Sequence, residues 1–226
     1  MFPIGDDNSQ RRTLPVVTYV LVGLNVFMFL LELSAGDNFI QRWAFIPAAF
    51  AANPAGNFIT IFTAMFMHGG WLHLLGNMLF LWIFGDNVED RLGHAKFLVF
   101  YLLAGIAGTL AQFALAPHSS VPNVGASGAI AGVLGGYILL YPRARVLTVI
   151  FIIIFFTLIE IPAVFVLGFW FFQQVAFGAL DLSNPTGQGG GVAYFAHIGG
   201  FVFGLLAIKA FAQRVKEVPT SRFPVY

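Results

Sequence analysis

The chain of 226 residues contains no cysteine, and only 9% of it is charged. Without a thiol there is no disulfide framework, no thiolate metal site and no cysteine nucleophile. The redox compartment is therefore left open. The shortage of charge says more, because a soluble domain carries about 25% Asp, Glu, Lys and Arg. Apolar residues take up the difference: they make up 58% of the chain, 27 residues are phenylalanine, and the mean hydropathy is +0.84. Such a chain is an integral membrane protein. At about 20 residues per span it holds six or seven helices with short loops and no second soluble domain, so residues 1–226 read as one membrane-embedded domain. Met1 to Pro15 carries acids and two arginines around no apolar core, and a cleaved signal peptide is not expected.

The apolar runs predict the spans. Leu14 to Leu33 is the first, after a short N-terminal segment (1–13) ending in Arg11 and Arg12. Ser34 to Met67 is mixed, rich in Phe, Ala, Pro and Asn, and predicts short helices at the membrane interface. The second helix runs from about Gly70 to Val88 and the third from Ala95 to Ala116, with a charged turn between them. A polar connector, His118 to Gly125, leads into the fourth, Ser127 to Tyr141, which Pro142 stops. The apolar stretch Val146 to Ala179 is longer than one straight span and is interrupted by Glu160 and Pro162. The glycine-rich connector Asp181 to Gly191 precedes the sixth helix, Val192 to about Ala212, and a short basic tail (213–226).

Six spans with both termini cytoplasmic put ten of the 11 basic residues inside and leave only Arg42 outside, as the positive-inside rule requires. The expected fold is an all-α bundle of six transmembrane helices. The fourth helix is short: at about 1.5 Å per residue it covers about 21 Å of a hydrocarbon core of about 30 Å. With its far end held at the interface by Arg143 and Arg145, the Ser127 end lies below the opposite surface. Irregular backbone at that depth is tolerated only beside protein or a water-filled cavity.

Polar residues at similar depth on the second and sixth helices are His73, Asn77 and His197. Buried polar groups in a membrane are costly and mark function. A serine becomes a nucleophile when a base lies within hydrogen-bond reach, and the chain has five histidines, His68, His73, His94, His118 and His197. The topology puts His94 on the cytoplasmic side, His118 in a watery connector and His68 near the outer surface. His73 and His197 remain, and spacing does not choose between them. Small-residue faces favour His197: Gly128, Gly132 and Gly136 on the fourth helix match Gly200 and Gly204 on the sixth, a pattern that lets backbones approach closely. The bland reading of Ser127 is a helix N-cap. That of the glycines is ordinary packing, and that of the His73 and Asn77 pair, four residues apart on one helix face, is an interhelical hydrogen bond. For oxyanion stabilisation the Ser127 amide, at a helix N-terminus, is a suitable donor.

The segments HGGWLHLLGNMLFLWIFGDNVED (68–90), GASG (125–128) and AHIGGFVFG (196–204) resemble three motifs of the rhomboid family of intramembrane serine proteases, in order and on the expected helices. The resemblance implies that Ser127 is the nucleophile and His197 the general base, a dyad without an acid. His73, Asn77 and the Ser127 amide would hold the oxyanion. It implies transmembrane-protein substrates in a lipid bilayer, and neither a metal, a cofactor nor a nucleic acid. The segment Ser34 to Met67 would be the family's membrane-embedded loop and Asp181 to Gly191 its cap. Without a targeting peptide, the expected location is a prokaryotic plasma (inner) membrane.

Two positions depart from the pattern of some members. Ala131 stands where a tyrosine, four residues after the nucleophile, stacks on the histidine, and Ile59-Thr60 stands where Trp-Arg occurs in the first loop. Glu160 reads either as a third acid or gating residue or as a structural partner of a neighbouring polar group, and the structural reading is preferred. Phe169 to Phe172 read equally as a substrate gate or a lipid-facing aromatic belt. Two non-proteolytic alternatives are a catalytically silent relative that binds transmembrane helices, and a transporter. The first would have lost its nucleophile or base, and both are present; the second predicts paired charges along a pathway, and the sequence offers none beyond Glu160.

Overall fold

A computed structural model of the chain describes residues 2–9, 11–152, 155–183 and 192–212. Strand β1 (Phe2–Asp6) precedes the long helix α1 (Val16–Ala35). The mixed segment then folds into the short helices α2 (Asp37–Trp43), α3 (Pro47–Ala52), α4 (Pro54–Asn57) and α5 (Thr60–Thr63) and a 3-10 turn over Ala64–Phe66. Prolines at the first positions of α3 and α4 set where those helices start. Next come α6 (Trp71–Leu92), α7 (His94–Leu115) and α8 (Ser127–Leu140). Strands β2 (Arg145–Ile152) and β3 (Phe155–Pro162) are followed by α9 (Ala163–Ser183) and α10 (Tyr194–Phe211).

Helices α1, α7, α9 and α10 are each long and apolar enough to cross a membrane. Helix α6 also passes when joined to Pro54–Phe66, from which it is bent by 76°, and α8 is a shorter apolar helix. The predicted helices over 14–33, 70–88, 95–116, 127–141 and 192–212 each have their counterpart here.

The fifth stretch is different. Only residues from Ala163 onward are helical, and Arg145 to Pro162 forms an antiparallel hairpin to which β1 adds a third strand, in the order β1-β2-β3. The fold is therefore mostly helical rather than all-α, and the N-terminal segment is a strand of that sheet. The run VLTVIFIIIFFTLIEIP is dominated by β-branched and aromatic residues, which fit a pleated surface better than a helix. Glu160 is consequently not a charge within a spanning helix. It is exposed on β3 and accepts a 2.8 Å hydrogen bond from Arg145 across the hairpin. The cap-loop residues 184–191 and the tail 213–226 lie outside the described residues.

Helix α8 is the centre of the bundle. Gly128 through Tyr137 are all buried, packed against α6, α7 and α10. A helix apolar on every side has to be enclosed in this way or face lipid. Its contact with α10 is backbone to backbone: a Cβ on Gly200 would overlap the carbonyl oxygen of Gly128, and one on Gly204 that of Gly132. The small-residue stripes expected to join the fourth and sixth helices therefore do so.

At the other end of the bundle a polar network ties the elements together. The N-terminus of α1 has no side-chain cap of its own. The Glu89 carboxylate, fully buried on α6, accepts from the Val17 and Thr18 amides at 2.9 and 2.7 Å and from Thr18 Oγ1 at 2.7 Å. It thus supplies acceptors for N–H groups that a helix start leaves unpaired. Arg11 pairs with Asp86 at 2.7 Å, and the Asp6 carboxylate of β1 accepts from Tyr137 at 2.6 Å and Asn87 at 2.8 Å. Burial pushes the Asp6 carboxyl up to about 6, against the opposing effect of those two donors.

Candidate active site

Ser127 opens α8 without capping it. The N-cap position is Ala126, in helical conformation, and no side chain caps the helix. The hydroxyl is engaged elsewhere: Ser127 Oγ and His197 Nε2 lie 2.7 Å apart. This contact follows from the glycines, because α8 and α10 meet at Gly128 and Gly200, one residue beyond the serine and three beyond the histidine. The choice between His73 and His197 as hydroxyl partner, which spacing leaves open, falls to His197.

His73 stands on α6 beside the same space. The Gly69 amide donates to its Nδ1 in a long 3.4 Å contact, which leaves Nε2 to carry the proton in the neutral ring. A Cβ at Gly125 would lie 2.7 Å from His73 Nε2 and 3.4 Å from Ser127 Oγ. Gly125, with φ of +126°, therefore combines a backbone conformation that side chains resist with the room that lets imidazole and hydroxyl face one small volume. Asn77, one turn beyond His73, is buried, and its Nδ2 has no hydrogen-bond partner among the described residues. An unpaired buried donor of this kind is costly unless something is meant to meet it. The Ser127 amide, in the first turn of α8, is a third donor beside His73 Nε2 and Asn77 Nδ2.

A cavity of about 720 Å³ opens onto these groups, with Ser127, His197, His73, Asn77 and Trp170 in its wall. It is mostly apolar and far larger than a single water needs.

The remaining histidines stay apart from the dyad. His94 meets Glu89 at 2.6 Å, and His118 is exposed. His68, expected near the outer face of the membrane, is fully buried within the protein, its amide donates to Glu32 at 3.0 Å, and its ring stands edge-on to His73 with centroids 5.2 Å apart. Thr60 is buried and bonds the Asn57 carbonyl, while Ile59 is exposed.

Sequence reasoning missed one residue of the site. Gln174, buried on α9, lies with Oε1 2.8 Å from His197 Nδ1. The signal was a polar side chain within an apolar run, the same signal that singled out Asn77. Of the aromatic cluster on that helix, Trp170 stands against the His197 ring at 5.7 Å and Phe171 stacks on Phe201 at 4.4 Å, whereas Phe169 and Phe172 are exposed. The cluster is thus split between the site and the outer face.

Comparison with known proteins gives a consistent result. The Rhomboid domain family model matches residues 55–214. The chain is 34% identical over 200 residues to the rhomboid protease GluP of Bacillus subtilis, covering 87% of this chain and 35% of that protein. It is 33% identical over 198 residues to the mitochondrial rhomboid protein 1 of Saccharomyces cerevisiae, covering 84% and 51% respectively. It is also 33% identical over 138 residues to the putative rhomboid protease YdcA of Bacillus subtilis, covering 60% and 68%. The chain spans about half or less of the length of the first two.

Proposed function

Because the chain belongs to the rhomboid family, whose members are mostly serine intramembrane proteases, we propose that it is a serine endopeptidase that hydrolyses peptide bonds in or near transmembrane segments of other membrane proteins. The observation that carries this reading is the 2.7 Å contact between Ser127 Oγ and His197 Nε2 at the mouth of a cavity furnished with free donors. Ser127 Oγ attacks the scissile carbonyl carbon while its proton passes to His197 Nε2. The negative charge that develops on the carbonyl oxygen is met by the Ser127 amide, Asn77 Nδ2 and His73 Nε2. Collapse of the tetrahedral intermediate breaks the C–N bond, and the imidazolium returns its proton to the leaving amine. Water then attacks the acyl-serine with His197 again as base, and collapse of the second tetrahedral intermediate breaks the acyl C–Oγ bond as His197 returns the proton to Ser127 Oγ. Among the described residues no acid completes a triad: the partner of His197 Nδ1 is Gln174.

A helical substrate shields its carbonyls in hydrogen bonds, so the bond to be cut has to unwind first. Small or helix-breaking residues near the cleavage site follow from this. The bundle is read as six spans with both termini cytoplasmic, on the distribution of its basic residues, in a prokaryotic plasma membrane. That orientation puts Ser127 toward the outer leaflet.

The test is cleavage of a transmembrane reporter in liposomes by the wild type, Ser127→Ala and His197→Ala. Both variants are expected to fall by at least about 10³-fold. Cleavage persisting in either one refutes the dyad. A fluorophosphonate probe that labels the wild type and not Ser127→Ala separates a protease from a silent helix-binding relative.

A further inference from the structure

We propose that Gln174 is the positioning residue of the His197 ring: it selects the imidazole tautomer in which Nδ1 carries the proton and Nε2 is free to accept from Ser127. The assignment rests on the reading of Ser127 and His197 as nucleophile and base. Position 131 is an alanine buried in the α8–α10 contact. Among the described residues, α8 meets the imidazole at Nε2, through Ser127, and the contacts to Nδ1 and to the ring face come from α9. Gln174 Oε1 lies 2.8 Å from Nδ1, and Trp170, one turn earlier, stands against the ring at a tilt of 34°.

The direction of the amide is determined by its second contact. Gln174 Nε2 donates to the Trp170 carbonyl oxygen at 3.2 Å. Turning the amide over would set its oxygen against that carbonyl, acceptor on acceptor. With Oε1 facing His197, Nδ1 has to be the donor. The neutral ring then presents a lone pair at Nε2, 2.7 Å from the hydroxyl it deprotonates. The opposite tautomer would place two protons between Ser127 Oγ and Nε2 and remove the base. The wrong tautomer at a base of this kind is catalytically expensive even when the ring has not moved.

Gln174 is the one polar residue among the buried residues of α9. An amide there is costly in a spanning helix. Its bland role would be to join α9 to α10 by a hydrogen bond. The two roles predict different things: a joint changes stability alone, whereas a positioning residue changes the proton's location and the chemical step.

The experiment therefore reads both. Histidines labelled with 15N, in protein reconstituted into bilayers, report the protonated ring nitrogen, and the His197 signal is identified by its loss in His197→Ala. The expected wild-type spectrum has Nδ1 protonated and Nε2 bare. Nε2 protonated in the wild type overturns the proposal without any variant. In Gln174→Met, which keeps length and helix propensity while removing the acceptor, the tautomer is expected to become mixed. Its kcat is expected to fall by about 10- to 100-fold with KM within about twofold. Gln174→Glu, which keeps an oxygen to accept from Nδ1, is expected to recover most of kcat. A Gln174→Met variant with the wild-type tautomer and kcat overturns the assignment, as does one whose only change is a lower Tm. If neither the wild type nor Ser127→Ala cleaves the reporter, the proteolytic reading has failed, and the wild-type tautomer still decides what Gln174 does.

Discussion

Replacing Gly200 by alanine adds one methyl group at the point where α10 lies on α8, and its effect follows from the contact distances. The new Cβ would overlap the Gly128 carbonyl oxygen, with Gly128 C at 2.9 Å and Ala131 Cβ at 3.4 Å, whereas real Cβ atoms do not come within 3.0 Å. The obstacle is backbone, so no side chain can rotate away. The helices have to separate by about 1 Å or more, in an interior packed too closely to absorb the change. Overpacking of this kind costs about 1–3 kcal/mol. The functional cost is larger, because His197 and Ser127 flank this contact. Their 2.7 Å hydrogen bond would stretch beyond useful range, and a misplacement of about 1 Å costs about 10²-fold in rate. The assay is reporter cleavage in liposomes beside a thermal unfolding curve in detergent. Gly168→Ala on α9 is the control, since no atom lies within 4 Å of its added Cβ; it is expected to retain wild-type activity and to gain up to about 1 kcal/mol. A Gly200→Ala protein that cleaves at more than half the wild-type rate with an unchanged Tm would refute the claim that the glycine contact sets the dyad distance.

Two further outcomes follow from the opposite end of the bundle. Asp6 has a folded-state pKa raised from 3.8 to about 6 by burial. Its contribution to docking β1 is therefore fully present below pH 3.8 and lost as pH rises through about 6, on the order of 2 kcal/mol after screening. Asp6→Asn is expected to match the wild type in Tm near pH 4 and exceed it at pH 7.5; a difference that does not vary with pH disproves the account. Glu89→Ala removes the acceptors for the first turn of α1 and is expected to cost about 2–3 kcal/mol, read as a lower Tm and faster exchange of the Val17 and Thr18 amides. Unchanged exchange at those two amides would show that the cap is not needed.

The polar residues of the site were legible as single letters in apolar surroundings. Ser127, His197, His73 and Asn77 stand out because a membrane makes each of them costly, and the glycine spacing on two helices already joins the first pair. The helices around them were legible from the length of their apolar runs. The hairpin was not, because a continuous apolar run reads alike as a helix or as buried strands when periodicity is the only guide. Its β-branched content was the available clue. Only pairing, with Arg145 reaching Glu160 across two strands, separates the alternatives.

By itself, then, the amino-acid order determined a membrane-embedded helical protein, the three segments that carry its polar groups, and the close approach of two of them, since composition and small-residue spacing act locally. The tertiary structure decided what depends on residues far apart in the chain. It made the Ser127 hydroxyl a partner of His197 rather than a cap, placed Gln174 against the far side of that ring, left Asn77 with an unpaired donor, and sent Asp6 to Tyr137. A hydrogen bond is set by a few tenths of an ångström between groups 23, 70 or 131 residues apart. No local pattern in the chain encodes such distances until the helices have packed.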